Sequence, residues 1–442
     1  MPVTRAAGID GRVAPARHLS VVRAAAETLF PGYFALVMAT AAVSIASFLL
    51  GHGEVAHVLV GLNWIFYISL WVLTLVRLVR FPGRLVDDLF NHQRAPGFFT
   101  LVAGTCMLAT QTILVAGGHA IGAYLWWLGL GLWFLIMYAF FTAVTVRTRK
   151  PSLGDGINGA WLIAAVATHS IVVLRGAIDV HGAPPPALQF LSLAMFMIGC
   201  MLYLAIIPLI FYRLTFIRME SRDFSPPYWI NMGAVAIATL AGSTLILRSP
   251  QWPLLQGFDA FLRGFTLFFW AAATWWIPFL AALMVWRYLV CRDPVRYEPA
   301  LWGMVFPLGM YTTGTFHLSR ALNVPFLLRI ADVFILIAAL AWLATFIGLL
   351  AHLARAVAPR PASSTPHVEG GPSRCPPDAP AGNYRARAAR PPAHLPRART
   401  SSRCRTARLG VRRRPCGSSL SGCPTRWSRR RERSRSTAAW RR

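Results

Sequence analysis

The stretch PGYFALVMATAAVSIASFLL (residues 31–50) runs for 20 positions without a charged residue. A helix needs about 20 apolar residues to cross a hydrocarbon core roughly 30 Å thick. The run is continuous rather than alternating, and a lipid-embedded backbone must satisfy its own hydrogen bonds, so it reads as a spanning helix. Working outward, nine similar segments follow, giving spans near 31–50, 56–79, 96–116, 120–145, 158–178, 187–211, 227–247, 260–289, 300–318 and 328–355. Only the odd-numbered spans open with related strings: PGYF (31–34), PGFF (96–99), NGAW (158–161), PPYW (226–229) and PALW (299–302). The aromatic in fourth place recurs at intervals of 65, 62, 68 and 73 residues. Proline suits a helix start, where its missing N–H is no loss, and an aromatic ring suits the membrane interface. The expected fold class is an all-α polytopic membrane protein. Its ten transmembrane helices form five helical-hairpin repeats around a quasi-five-fold central pore.

Composition agrees. Of 442 residues 56% are hydrophobic and 14% charged, whereas a soluble domain is about 25% charged. With 27 Phe and 16 Trp, disorder over most of the length is excluded. The net charge of +28 is uneven: residues 361–442 hold 20 Arg against Glu369, Asp378 and Glu432, which places +17 there. Three regions are therefore expected. Residues 1–28 are a cytoplasmic extension lacking the apolar core of a cleavable leader. Residues 29–357 are the ten-helix transporter domain, and 358–442 are an Arg/Pro/Ser-rich disordered cytoplasmic tail. Lys and Arg of the short connections number 17 on one side, from Arg5 to Arg296, and five on the other (Arg175, Arg248, Arg263, Arg320, Arg329). The positive-inside bias then puts both termini in the cytoplasm of a multi-pass protein of the cell (inner) membrane. The seven cysteines show no CxxC pair and no disulfide framework.

Small and hydroxyl residues recur in the odd spans and make Thr40, Thr105, Gly233 and Thr312 candidates for the pore lining, although small residues also pack membrane helices together. His169 is the deepest ionisable group of the odd spans: a candidate pore-lining proton relay, or a histidine bonded to a neighbouring helix. Arg175, Arg248 and Arg320, with His52 and His119, gather where odd helices end on the outer side. They would concentrate anions at a mouth, or simply snorkel to the interface. The absence of acids along the pore favours an anionic passenger, since cation selectivity uses rings of Asp or Glu. Phe306 falls, in the repeat alignment, where Met38, Ala103, Ala165 and Gly233 stand, and Pro307 follows it deep in the ninth span. A large ring beside a proline kink is a candidate hydrophobic plug, or a ring packed between helices.

The strings PGYFALVMAT, HQRAPGFFTLVAGT, PPYWINMGA and WGMVFPLGMYT resemble the tellurite-resistance/C4-dicarboxylate transporter family, which includes fungal malate and sulfite permeases and the slow anion channels of plant guard cells. The resemblance covers about residues 28–356 and is weakest in the fifth span, where Asn158 replaces the opening proline. It implies an inner ring of odd helices, a homotrimer with one pore per subunit, and a gating phenylalanine before a proline, which Phe306–Pro307 matches. It also implies a small anion as substrate, a C4-dicarboxylate such as malate foremost, with a proton-coupled dicarboxylate or sulfite exporter or a tellurite-resistance permease as the alternative. A membrane enzyme is the rival of another class, but neither paired haem histidines nor an HExxH motif occurs. No cofactor or metal is expected. The tail has no zinc spacing, so only nonspecific attraction to nucleic-acid phosphate could be argued.

Overall fold

The computed structural model describes residues 22–179 and 182–357; the tail and the first 21 residues lie outside them. Ten long helices carry the fold: α1 (Ala35–Leu49), α2 (Gly53–Arg80), α3 (Phe99–Ala116), α4 (His119–Val146), α5 (Ile163–Ile178), α6 (Pro186–Phe216), α7 (Ile230–Arg248), α8 (Asp259–Val285), α9 (Trp302–Leu322) and α10 (Leu327–Val357). No strand occurs among the described residues. Nine of the ten belong to segments long and apolar enough to cross a membrane by themselves. The exception is α9, whose Gly303, Gly309, Gly314 and run of threonines lower its hydropathy. Nearly all of α9 is buried by its neighbours, so it need not be soluble in lipid.

Burial separates the helices into two sets. Every residue of α1 from 35 to 47 is buried, whereas α2 buries only seven of its 28. The same contrast holds along the chain, with α3, α5, α7 and α9 enclosed and their partners exposing Leu, Ile, Phe and Trp. The enclosed helices touch in the cyclic order α1–α3–α5–α7–α9–α1, which closes a ring. Each even helix packs on the odd helix of its own hairpin and on the next one round, α10 returning to α1. The five-hairpin ring expected from the repeat is therefore the observed fold.

Local rules explain how each hairpin is set. Every odd helix is entered through a 3₁₀ turn: Pro31–Phe34, Ala95–Phe98, Gly159–Leu162, Pro226–Trp229 and Pro299–Leu301. Proline sits at the start of four of these turns. In the third, Asn158 takes its place as an N-cap, its Oδ1 accepting from the Ala160 N–H at 2.9 Å. The five turns touch in the same cyclic order as the helices and form a collar. Backbone meets backbone there: a Cβ on Gly159 would lie 2.2 Å from the Pro227 carbonyl oxygen, so only glycine fits. At the same end an arginine near the close of each of the first four even helices reaches back to its own hairpin. Arg77 donates to Leu29 O, Arg147 to Phe90 O, Arg213 to Ile157 O and Arg287 to Phe224 O. Arginines that register as orientation signals in the sequence thus also fasten the entrance of each inner helix.

Candidate functional site: the axis of the inner ring

Bonds from the outer to the inner ring establish the register of the repeats. Trp342 Nε1 of α10 donates to Thr40 Oγ1 at 3.0 Å. The Tyr67 hydroxyl of α2 lies 3.0 Å from Thr105 Oγ1, and Trp133 Nε1 of α4 donates to Thr168 Oγ1 at 2.8 Å. Thr40, Thr105 and Thr168 are therefore equivalent. The fifth span must be aligned on Leu162 rather than Trp161, a shift of one residue that follows from the Asn158 cap.

With that register, a cavity of about 100 Å³ lies where the inner helices end, and all five line it. One layer consists of Ile45, Thr110, Val173, Leu240 and Thr313, all at the same repeat position. The next, one turn nearer the helix ends, holds Leu114, Ala177, Thr244 and His317, with Arg248 beyond them. Seven residues before the first layer stand Met38, Ala103, Val166, Gly233 and Phe306. Seven residues are close to two helical turns, so this third layer shares the axial stripe about 10 Å deeper. Phe306 is only 1% exposed, and its layer mates are a Met, an Ala, a Val and a Gly. Helix α9 runs unbroken through Pro307, and a Cβ on Gly233 would meet the Pro307 ring at 2.7 Å, so the missing side chain of Gly233 makes room for that proline.

Several candidate lining residues turn out to face elsewhere. Thr40 and Thr105 point to α10 and α2, as their bonds show, because they lie two residues, or about 200°, from the axial stripe. His169 is fully buried on the α5–α6 seam. Its Nε2 lies 3.6 Å from Cys200 Sγ, its ring lies 5.7 Å from that of Phe196 at a tilt of 59°, and it leaves no room for a Cβ on Gly199. Thr312 returns its hydroxyl to Leu308 O, and the neighbouring Thr313 takes the cavity position. Of the mouth arginines, Arg175 is paired with Asp179 and lies over the Trp126 ring at 5.3 Å. Arg320 lies over Phe316 at 4.7 Å. Arg248 alone of the three lines the cavity, with its Nε given to Gly176 O at 3.1 Å.

The residue that sequence reasoning passed over is His317. Its signal is its place eleven residues after Phe306, three turns along the same face and near the helix end rather than at mid-membrane depth. Its Nδ1 lies 3.1 Å from Thr313 O, and its ring opens on the cavity.

Residues 28–350 match the family described as SLAC1, voltage-dependent anion channel. The chain belongs to that family. An uncharacterized membrane protein of Mycobacterium tuberculosis is 37% identical over 156 residues, covering 35% of this chain and 79% of that protein. Two uncharacterized transporters of Methanocaldococcus jannaschii are similar over longer stretches. One is 25% identical over 301 residues, 65% of this chain and 83% of its own length. The other is 22% identical over 291 residues, 64% and 82%. SLAC1-family membership assigns the chain to anion transport in general and separates it from enzymes.

Proposed function

We propose that the chain conducts small anions along the axis of the inner ring, with Phe306 as the gate and Arg248 as the cation that receives the anion at the mouth. The observation that carries this reading is the shared stripe. By helical periodicity, the large ring of the deep layer falls on the same stripe as the residues that line the five-helix cavity, Arg248 the one charge among them. A hydrophobic constriction can hold a pore shut by excluding water and opens when the ring moves. Pro307 supports such movement, since it removes a backbone hydrogen bond next to the ring.

One guanidinium in a cavity of about 100 Å³ suits an anion with a single charged group at that point. Malate, which the family resemblance favours, would have to enter one carboxylate first. In this reading both termini face the cytoplasm, the mouth opens outside the cell membrane, and the chain assembles as a trimer with a pore in each subunit. Flux of chloride, sulfite and malate from vesicles containing the purified full chain tests the function. Chloride or sulfite efflux above empty vesicles, reduced at least tenfold in Arg248→Gln, is the expected result. Efflux of all three at the level of empty vesicles overturns it.

A further inference from the structure

The cavity at the mouth is short of donors. Thr110, Thr244 and Thr313 line it, but each hydroxyl proton is committed to the carbonyl four residues back: Cys106 O at 2.9 Å, Leu240 O at 2.8 Å and Gly309 O at 3.0 Å. What these side chains turn to the cavity is oxygen lone pairs, which repel an anion. Arg248 has given its Nε to Gly176 O, leaving its two terminal nitrogens.

His317 is governed by the same logic. Its Nδ1 is 3.1 Å from the Thr313 carbonyl oxygen, which can only accept, so Nδ1 carries the hydrogen. In the neutral ring Nε2 is then a lone pair, and it has no hydrogen-bond partner among the described residues. A neutral His317 therefore faces the cavity as an acceptor. A proton taken from the aqueous phase adds to Nε2 and converts it into a charged donor.

Resting on the anion-pore reading above, we infer that His317 couples anion binding to proton binding at the mouth: the anion seats between Arg248 and a protonated His317, each stabilising the other. The groups around His317 fit this role. Arg248 on α7 lines the same cavity and Arg320 lies one turn farther along its own helix, and an anion bound beside His317 offsets the repulsion between these like charges. The α5 end contributes the Arg175–Asp179 pair and α8 the Arg263–Asp259 pair, each internally matched. Helix α10 carries Arg329 and Asp332 near its start, and His52 and His119 precede and begin the outer helices α2 and α4. Helices α1 and α3 bring no charge and no histidine to the ring. A bound anion is thus what makes the imidazolium favourable, and linkage requires the proton to raise anion affinity by the same factor. His169, closed off against α6, has no such access.

The test uses nitrate as the probe. In detergent, adding nitrate to the weakly buffered wild-type full chain should draw protons from solution, approaching one per anion bound. Nitrate affinity should rise by up to about tenfold per unit fall in pH, the limit for one linked proton. His317→Gln, whose amide has no titratable proton, should lose both effects whatever nitrate affinity remains. Nitrate binding by the wild type without proton uptake overturns the inference, and so does an unchanged pH slope in His317→Gln. The proton-uptake measurement needs only the wild type, so it decides the matter even where the variant fails to fold. If nitrate neither binds to nor passes through the wild type or Phe306→Ala, the anion-pore reading itself has failed, and this inference falls with it.

Discussion

Phe306 is 1% exposed, and on the axial stripe it shares its layer with side chains no bulkier than Met38. If it gates the axis, opening must take the ring out of that layer. Fully burying a phenylalanine side chain is worth about 1.5–3 kcal/mol, so moving it costs about the same. At 1.4 kcal/mol per factor of ten, the closed state is favoured roughly ten- to a hundredfold by the ring alone. Phe306→Ala removes that penalty, and anion efflux from vesicles should rise by about this factor. Phe306→Leu, which keeps part of the bulk, should fall between. The competing account is a ring that only fills the core. It predicts a stability loss of about 3–5 kcal/mol for Phe306→Ala with no gain in flux. Single-turnover efflux of chloride, measured beside thermal unfolding in the same detergent, separates the two. A folded Phe306→Ala protein whose efflux equals wild type would refute the gate.

Three further outcomes follow from the geometry. Arg77→Met removes a buried donor shared by Leu29 O and Asp88, which sits 2.6 Å from Arg77. Because Arg94 still holds Asp88, the loss of stability should be near the lower end for a broken buried pair, about 3 kcal/mol by thermal unfolding. Gly159→Ala forces a Cβ against the Pro227 carbonyl in the collar and should cost about 1–3 kcal/mol, visible as a lower yield of folded protein on size exclusion. His169→Ala should lower stability by about 2 kcal/mol or more through the cavity it leaves, while efflux and its pH profile stay at wild type. A flattened pH profile in that variant would return His169 to the pathway.

The hairpins and their order were legible because they rest on local rules that repeat. An aromatic at every odd helix entrance, and a proline at four of the five, survive as period even where the spans differ. The division into inner and outer helices was legible for a similar reason: lipid-facing positions demand large apolar side chains and buried ones do not. What could not be read was rotation about each helix. Thr40, Thr105 and Thr312 look alike as hydroxyls in apolar runs, yet a difference of one or two residues turns each away from the axis. The NGAW entrance is the instructive case. Asn158 supplies the cap that proline supplies elsewhere, and the exchange moves the register of α5 by one residue, which replaces Ala165 by Val166 in the deep layer and turns His169 outward. Only the tryptophan and tyrosine bonds from the outer ring reveal this, and they depend on contacts between segments distant in sequence.

The mouth arginines take on a second meaning once the helix ends are considered. All five inner helices finish at the mouth, and each C-terminus carries roughly half a negative charge on its unpaired carbonyls. An anion approaching the axis would first meet those ends. The N-termini of the outer helices lie at the same end and offset part of this field, but they stand about one helix diameter, roughly 10 Å, farther from the axis. Arg175, Arg248 and Arg320 each occupy the last turn of an inner helix, where a cation is favourable. Asp179 takes back one of those charges through its pair with Arg175. The arginines therefore serve first to cancel the negative ends of their own helices, and the mouth they leave is close to neutral rather than strongly attractive. In a mouth so balanced, one proton on His317 decides whether an anion meets a lone pair or a charged donor. On the reading proposed above, entry then depends on both members of the pair, Arg248 to receive the anion and His317 to add the second charged donor.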